Sequence, residues 1–215
     1  MSNILIIKHG SLGDIAQISG VLQDIRIAHK ISKIFILTTS PYLELLSICP
    51  YIDVVLHDKR LARWNIFYLH KLKKKLNQYN FSHVYDLQNS SRTRFYRRYL
   101  LKSPIWNSTE TVLKKNEKKE DFDEESVLNR FQIQLNKAQV ITKYSLIPDF
   151  SWARKNVDPI ISKYFSKKYI LLFPFCSAKL SHKKWPFFND LIKIIKLNHS
   201  QFEIAVAPGP FEIND

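Results

Sequence analysis

Short apolar runs rich in β-branched residues alternate with segments of helical periodicity along this chain, and that alternation constrains its fold more than any other feature. Residues 3–8 (Asn-Ile-Leu-Ile-Ile-Lys) are apolar on both faces, as a strand inside a parallel sheet must be. From Asp14, the residues Ile15, Ile18, Val21, Leu22, Ile25 and Ala28 recur at helical spacing and end in His29-Lys30, where positive charge suits the helix dipole. The same reading predicts strands over 33–37, 52–56 and 81–86, and helices over 41–48, about 60–76 and 92–101. Strands alternating with helices imply βαβ units and an α/β, doubly wound parallel sheet.

The charged run 114–126 (KKNEKKEDFDEES) reads as a solvated loop or exposed helix start, followed by a helix over 127–140. Residues 144–149 carry a proline and no periodicity, so the chain divides into a first domain, 1–143, a linker, 144–150, and a second domain, 151–215. In the second, a helix over 151–165, a strand over 169–173, a helix opened by Trp185-Pro186 and a strand over 202–207 are expected. Two βα repeats are fewer than a doubly wound sheet needs, so this domain is expected to be truncated, with apolar surface left exposed.

Composition narrows the function classes. A net charge of +14 with 45% hydrophobic residues describes a basic, core-forming globular protein, which excludes disorder throughout. Cys49 and Cys176 lie far apart with no secretory signal ahead of them, which argues for a reducing compartment and a cytoplasmic address. No apolar run approaches the ~20 residues of a membrane span. The stretch 61–76 sets aromatics beside Lys71, Lys73, Lys74 and Lys75, which fits either an interfacial helix on anionic lipid or a core-packed helix with a wet basic edge. The seven histidines are scattered, with no metal-ligand spacing.

Glycine is scarce, four in 215 residues, yet three of them, Gly10, Gly13 and Gly20, fall in the first twenty positions. They mark the loop Lys8-His-Gly-Ser-Leu-Gly-Asp14, placed where a parallel sheet delivers its ligands. The loop is neither a P-loop nor a GxGxxG fingerprint. Asp14 is either the N-cap of the following helix or a general base at a cleft.

Residues 4–15, ILIIKHGSLGDI, resemble the opening strand and Ser-Leu-Gly-Asp loop of the ADP-heptose:lipopolysaccharide heptosyltransferase family, inverting glycosyltransferases of the GT-B fold with two Rossmann-like domains. Further collinear segments resemble that family: 49–55 (CPYIDVV), 85–92 (YDLQNSSR), 174–177 (PFCS), 183–186 (KKWP) and 207–212 (APGPFE). Phe175 and Asn89 stand where the family has glycine, and the family's later Asp-[Thr/Ser]-Gly-Pro-x-His-x-Ala segment is absent from this sequence, which ends at Asp215.

The resemblance implies transfer of a heptose from an ADP-activated donor to a lipopolysaccharide inner-core hydroxyl, with inversion and without a metal or other cofactor. Asp14 matches the family's base, and Lys183 matches a lysine that neutralises the departing diphosphate. Acceptor contacts are implied at Ser11, Gly13 and Arg92, and donor contacts at Ser177, Lys183 and Glu212. Taken without the resemblance, Lys183 is a solvated lysine, Ser177 a cap or turn residue, and Arg97, Arg98 and Lys102 the wet face of a helix, while the basic cluster that these form with Arg92 and Arg94 is expected if the acceptor carries phosphates and carboxylates. The implied partners are a nucleotide-sugar donor, the core acceptor and the anionic inner face of the cytoplasmic membrane. Two alternatives stand beside this reading. One is an inactive GT-B chain that retains acceptor or lipid binding. The other is a nucleic-acid-binding protein, prompted by the charge but lacking any recognised nucleic-acid-binding pattern.

Overall fold

The structure is a computed structural model that describes residues 2–113, 116–176 and 182–208, together with the backbone but not the side chains of Glu120 and Asp121. Two compact units divide it, residues 1–154 and 155–215.

Five strands form the sheet of the first unit: β1 (Asn3–Ile7), β2 (Lys33–Thr38), β3 (Val54–His57), β4 (Phe81–Asp86) and β5 (Ile105–Asn107). Their order is β3-β2-β1-β4-β5, and every pairing is parallel. The most apolar run in the sequence therefore occupies the centre, with Ile4 opposite Ile34 and Ile6 opposite Ile36. Side chains alternate across the sheet, as strand geometry requires. Ile4 and Ile6 join one buried cluster, and Leu5 and Ile7 join the other. Both faces of β1 are thus sealed, which is why its sequence shows no polar alternation.

Helices α1 (Leu12–Gln17), α2 (Ser19–Ala28) and α3 (Leu43–Ser47) follow β1 and β2, and α4 (Ile66–Asn77) and α5 (Ser91–Tyr99) follow β3 and β4. The expected single helix from Asp14 is divided at Ile18, beside the Ser19-Gly20 pair, where the Ser19 hydroxyl donates to the Ala16 carbonyl at 2.8 Å. Apolar periodicity runs through the break, because Ile15 and Ile18 are both fully buried. Helix α4 starts at Ile66 rather than near residue 60, since the Asn65 side chain accepts from the Tyr68 amide at 2.9 Å and caps it.

Past the short helix α6 (Thr109–Val112), the charged run is only partly solvated. It forms α7 (Lys119–Glu124), whose Phe122 is buried, and leads into α8 (Val127–Lys137). Residues 144–150, expected as the linker, are fastened to the first unit. The buried Asp24 carboxylate accepts from the amides of Lys143, Tyr144 and Ser145, and from the Ser145 hydroxyl at 2.6 Å. Phe150 and Trp152 then pack on the cluster beneath α2, so 151–153 is a 3₁₀ turn on the first unit and not the start of a long helix.

The second unit contains α9 (Asp158–Ile161), β6 (Tyr169–Leu172), α10 (Phe188–Asn198) and β7 (Glu203–Val206). Its strands pair in parallel, with Tyr169 opposite Glu203. Leu172 and Ile195 are its buried apolar side chains among the described residues, whereas Leu171, Phe173, Phe187, Ile194 and Leu197 are exposed. Among the described residues, no helix is long and apolar enough to cross a membrane.

Candidate active site

The carboxyl end of β1 leads into the loop that the glycines marked. Gly10 has φ +114°, a conformation side chains rarely adopt, and a Cβ there would stand 2.2 Å from the Tyr42 ring. Gly13 has open space where its Cβ would be, so nothing in the chain's own packing demands glycine there.

Ser11, not Asp14, is the N-cap of α1. Asp14 occupies the third helical position, and its Oδ2 accepts from the Ser11 amide at 2.6 Å and the Ser11 hydroxyl at 2.9 Å. This is the reciprocal half of a capping box. Its Oδ1 lies 3.6 Å from Lys8 Nζ. Partial burial pushes the Asp14 carboxyl up, but the Lys8 ammonium and the Ser11 hydrogen bonds outweigh it and hold the group below the ordinary carboxylate range.

Lys8 is buried, an unusual place for a lysine. Its ammonium donates to the Leu87 carbonyl at 3.2 Å and lies 5.4 Å from the centre of the Phe131 ring. Burial lowers its pKa, and the neighbouring Asp14 and Asp86 charges only partly oppose that effect. A polar cleft of about 470 Å³ opens beside this pair, within the first unit, and is lined by Lys8, Asp14, Gln88, Asn89, Lys119 and Arg130 among others. Lys119 and Arg130 both pair with Asp123 on the far wall, Arg130 at 3.3 Å. The walls thus present three cations and hydrogen-bonding amides beside two carboxylates, Asp14 and Asp123, a set suited to a hydroxyl-rich molecule that carries anionic groups.

Asn89 has φ +48°, a region that asparagine tolerates better than most side chains. Its amide group donates to Gln134 Oε1 at 3.0 Å and its oxygen accepts from the Thr109 amide at 2.8 Å. Gln134, fully buried on α8, donates to the carbonyls of Asp86 and Asn107 at 3.0 Å each. These bonds fix the floor of the cleft to the ends of β4 and β5.

Arg92 does not line this cleft. Its guanidinium donates to the Tyr96 hydroxyl at 3.1 Å and the Leu61 carbonyl at 2.9 Å, at the rim of a buried network around Asp58. Asp58 accepts from Tyr68, from Tyr96 at 2.7 Å and from the Arg60 amide at 2.8 Å, and lies 3.0 Å from His9 Nε2. Burial opposes its ionisation, but these donors prevail and hold it far below the usual range. Burial and the Asp58 charge push the Tyr96 phenol up to about 12.

The sequence marked Ser11, Gly13 and Asp14 together, and they fall together at the cap and first turn of α1. It missed the cleft walls from Lys119 to Phe131, because their charges read as solvated, and it missed Asp58, which carries no motif. In the second unit Lys183 is exposed, and the Lys184 ammonium lies 5.1 Å from the Phe175 ring. Ser177 and Glu212 lie outside the described residues.

The fold is that of GT-B-like glycosyltransferases. A glycosyl transferase family 9 structure from Veillonella parvula DSM 2008 superposes with a TM-score of 0.75 at 16% identity, covering 99% of this chain and 64% of that one. E. coli heptosyltransferase WaaC with ADP-2-deoxy-2-fluoro heptose gives 0.64 at 13% identity, covering 97% of this chain and 70% of that one. E. coli ADP-heptose lps heptosyltransferase II gives 0.65 at 16% identity, covering 96% and 64%. The chain thus spans about two thirds of the length of these structures. No protein-family model matches it, and no curated protein matches it in sequence.

Proposed function

We propose that this chain is a glycosyltransferase that passes a sugar, a heptose in the reading the resemblance favours, from an ADP-activated donor to a hydroxyl of a lipopolysaccharide core acceptor, with inversion. The observation that carries the reading is Asp14, an ionised carboxylate held by Ser11 and Lys8 at the edge of a polar cleft. Inversion requires one displacement at the anomeric carbon. Asp14 takes the proton of the attacking hydroxyl as that oxygen bonds to the carbon, while the donor's diphosphate leaves with the bonding pair. The open space at Gly13 lets an acceptor approach the loop. Lys8, Lys119 and Arg130 suit an acceptor that carries phosphate or carboxylate groups.

The second unit supplies the donor side in this reading. Lys183 neutralises charge on the departing diphosphate, and Ser177 and Glu212 hold phosphate and a sugar hydroxyl, so no metal enters the proposal. Support for a nucleotide-sugar donor comes from WaaC, solved with an ADP-sugar analogue.

The test is a transfer assay with ADP-heptose and inner-core acceptor, run beside calorimetric titration of ADP. Asp14→Asn should lower turnover by roughly 10²–10⁴-fold and leave ADP affinity unchanged, as loss of a base does. Because the Asp14 pKa is depressed, the acid limb of the wild-type pH–rate profile should fall below the ordinary carboxylate value of about 3.9. Turnover in Asp14→Asn above about a tenth of wild type would return Asp14 to a helix-capping role.

A further inference from the structure

We propose that the Asp123 carboxylate is an internal stand-in for the acceptor: it fills the anion subsite of the cleft by pairing with Lys119 and Arg130, and a carboxylate or phosphate on the acceptor sugar displaces it on binding. The proposal rests on the reading of this cleft as the acceptor side, and it adds what selects an acceptor there. The carboxylates of the first unit differ in how they are held. Asp14 accepts from the Ser11 amide, Asp58 from the Arg60 amide, and Asp86 from the amides of Gln88 and Asn89, so the backbone fixes each of them. Asp123 instead accepts from the ends of two long side chains, the Lys119 ammonium one turn earlier on α7 and the Arg130 guanidinium at 3.3 Å on α8. Arg130, Asp123 and Lys119 are 30%, 40% and 46% exposed, and all three line the cleft. Ion pairs this open to water are worth little net, so one carboxylate is exchanged for another at small cost.

The cleft itself says what chemistry takes the place of Asp123. Burial lowers the Lys8 pKa, Asp14 and Asp86 oppose that, and the Arg130 charge adds to the lowering, so Lys8 and Arg130 repel each other across the space. An anion seated between them relieves the repulsion, and a neutral hydroxyl does not. The guanidinium fork of Arg130 matches carboxylate and phosphate alike. Gln88 and Asn89 line the same cleft of about 470 Å³, which has room for a sugar ring and not merely for an ion. The Lys119 ammonium, with help from Arg130, holds the Asp123 carboxyl below its ordinary value, so it competes as an anion at neutral pH. This competition sets a threshold. A sugar acid or phosphosugar replaces the broken pairs with its own, whereas a neutral sugar that moves Asp123 aside leaves two cations without their carboxylate.

NMR titration of the full chain, at constant ionic strength, with galacturonate, galactose 6-phosphate and galactose tests this, because the three probes differ in the group at one carbon. Asp123→Asn should bind the two acids about three- to tenfold more tightly than wild type and galactose no better. Asp123→Glu, which keeps the charge, should stay within about twofold of wild type. In an Arg130→Gln background the Asp123→Asn substitution should gain about twofold or less, since the cation it frees is gone. The acid that gains more identifies the acceptor's anionic group. Equal affinity of wild type and Asp123→Asn for both acids would overturn the proposal, as would an equal gain for galactose, a full gain without Arg130, or no binding of either acid to Asp123→Asn. The titrations involve no donor and no transfer, so the two readings fail separately. Unchanged acid affinity in Asp123→Asn, with transfer still lost in Asp14→Asn, would reject the stand-in and keep the base; the expected gain, with transfer retained in Asp14→Asn, would do the reverse.

Discussion

At the scale of single residues, two carboxylates of the first unit, Asp14 and Asp58, behave differently. Asp14 remains partly open to the cleft, where its charge is usable. Asp58 is sealed, and its carboxylate ties His9 at the end of β1 to Tyr68 on α4 and Tyr96 on α5. Since His9 immediately precedes Gly10, Asp58 anchors the base of the loop that bears Asp14. Asp58→Asn should therefore destabilise the chain by about 3 kcal/mol at neutral pH, because the buried cluster loses its charge and one of its two acceptor oxygens becomes an NH₂ donor facing other donors. The pH dependence has a definite sign. A depressed folded pKa means that the stabilisation is complete above the unfolded value of about 3.9 and drains away as pH falls through the lower folded value. Urea midpoints measured from pH 6 downward should fall more steeply for wild type than for Asp58→Asn; parallel curves would show that the ionised carboxylate contributes nothing. Sequence spacing had marked Asp14 through its glycines, but Asp58 was invisible, since its partners come from three separate elements.

At the scale of elements, legibility follows burial. The central strands β1 and β2 were readable because residues sealed on both faces carry an unbroken apolar run. Strand β5 was not, since three residues at the sheet's edge, with Ile105 exposed, leave no pattern to read. The expected helix over 151–165 failed for a related reason: Phe150 and Trp152 supply apolar residues to the first unit's core and not to a helical stripe. That docking makes a prediction about Gly20. Alanine in the middle of a helix normally adds up to about 1 kcal/mol over glycine. Here a Cβ would stand 1.9 Å from the Tyr144 carbonyl oxygen, a backbone atom that cannot turn aside. Gly20→Ala should thus destabilise, by roughly 1–3 kcal/mol, as overpacking does. Its distinguishing mark would be faster hydrogen exchange at the Lys143, Tyr144 and Ser145 amides that Asp24 holds. A rise in melting temperature would show that the 144–147 turn yields at no cost.

At the scale of the whole molecule, the two units differ in how much apolar surface they hide. Two buried clusters flank the five-stranded sheet, and the central β1 contributes four fully buried side chains, Ile4, Leu5, Ile6 and Ile7. At ~1.5–3 kcal/mol for each fully buried aliphatic side chain, one strand of the first unit matches or exceeds what Leu172 and Ile195 together contribute to the second. A lone pair of strands is marginal in water, and among the described residues of the second unit α10 is the one helix longer than four residues. The units should therefore unfold separately, the second at lower temperature and with smaller enthalpy. Hydrogen exchange should find the slowest amides in β1, β2 and β4, and fast exchange throughout β6 and β7, because local opening is governed by the apolar contacts that must be broken. Limited proteolysis should then cut first after residue 154 and leave 1–154 intact, since the backbone up to Ser145 is held by Asp24 and Trp152 is packed on the core. The decisive comparison is the same experiment with saturating ADP. If the second unit carries the donor site, ligand bound only to its folded form raises its transition by mass action and leaves the first unit's transition in place. One cooperative transition would sink the separation of stabilities, and protection by ADP confined to the first unit would sink the assignment of the nucleotide to the second unit.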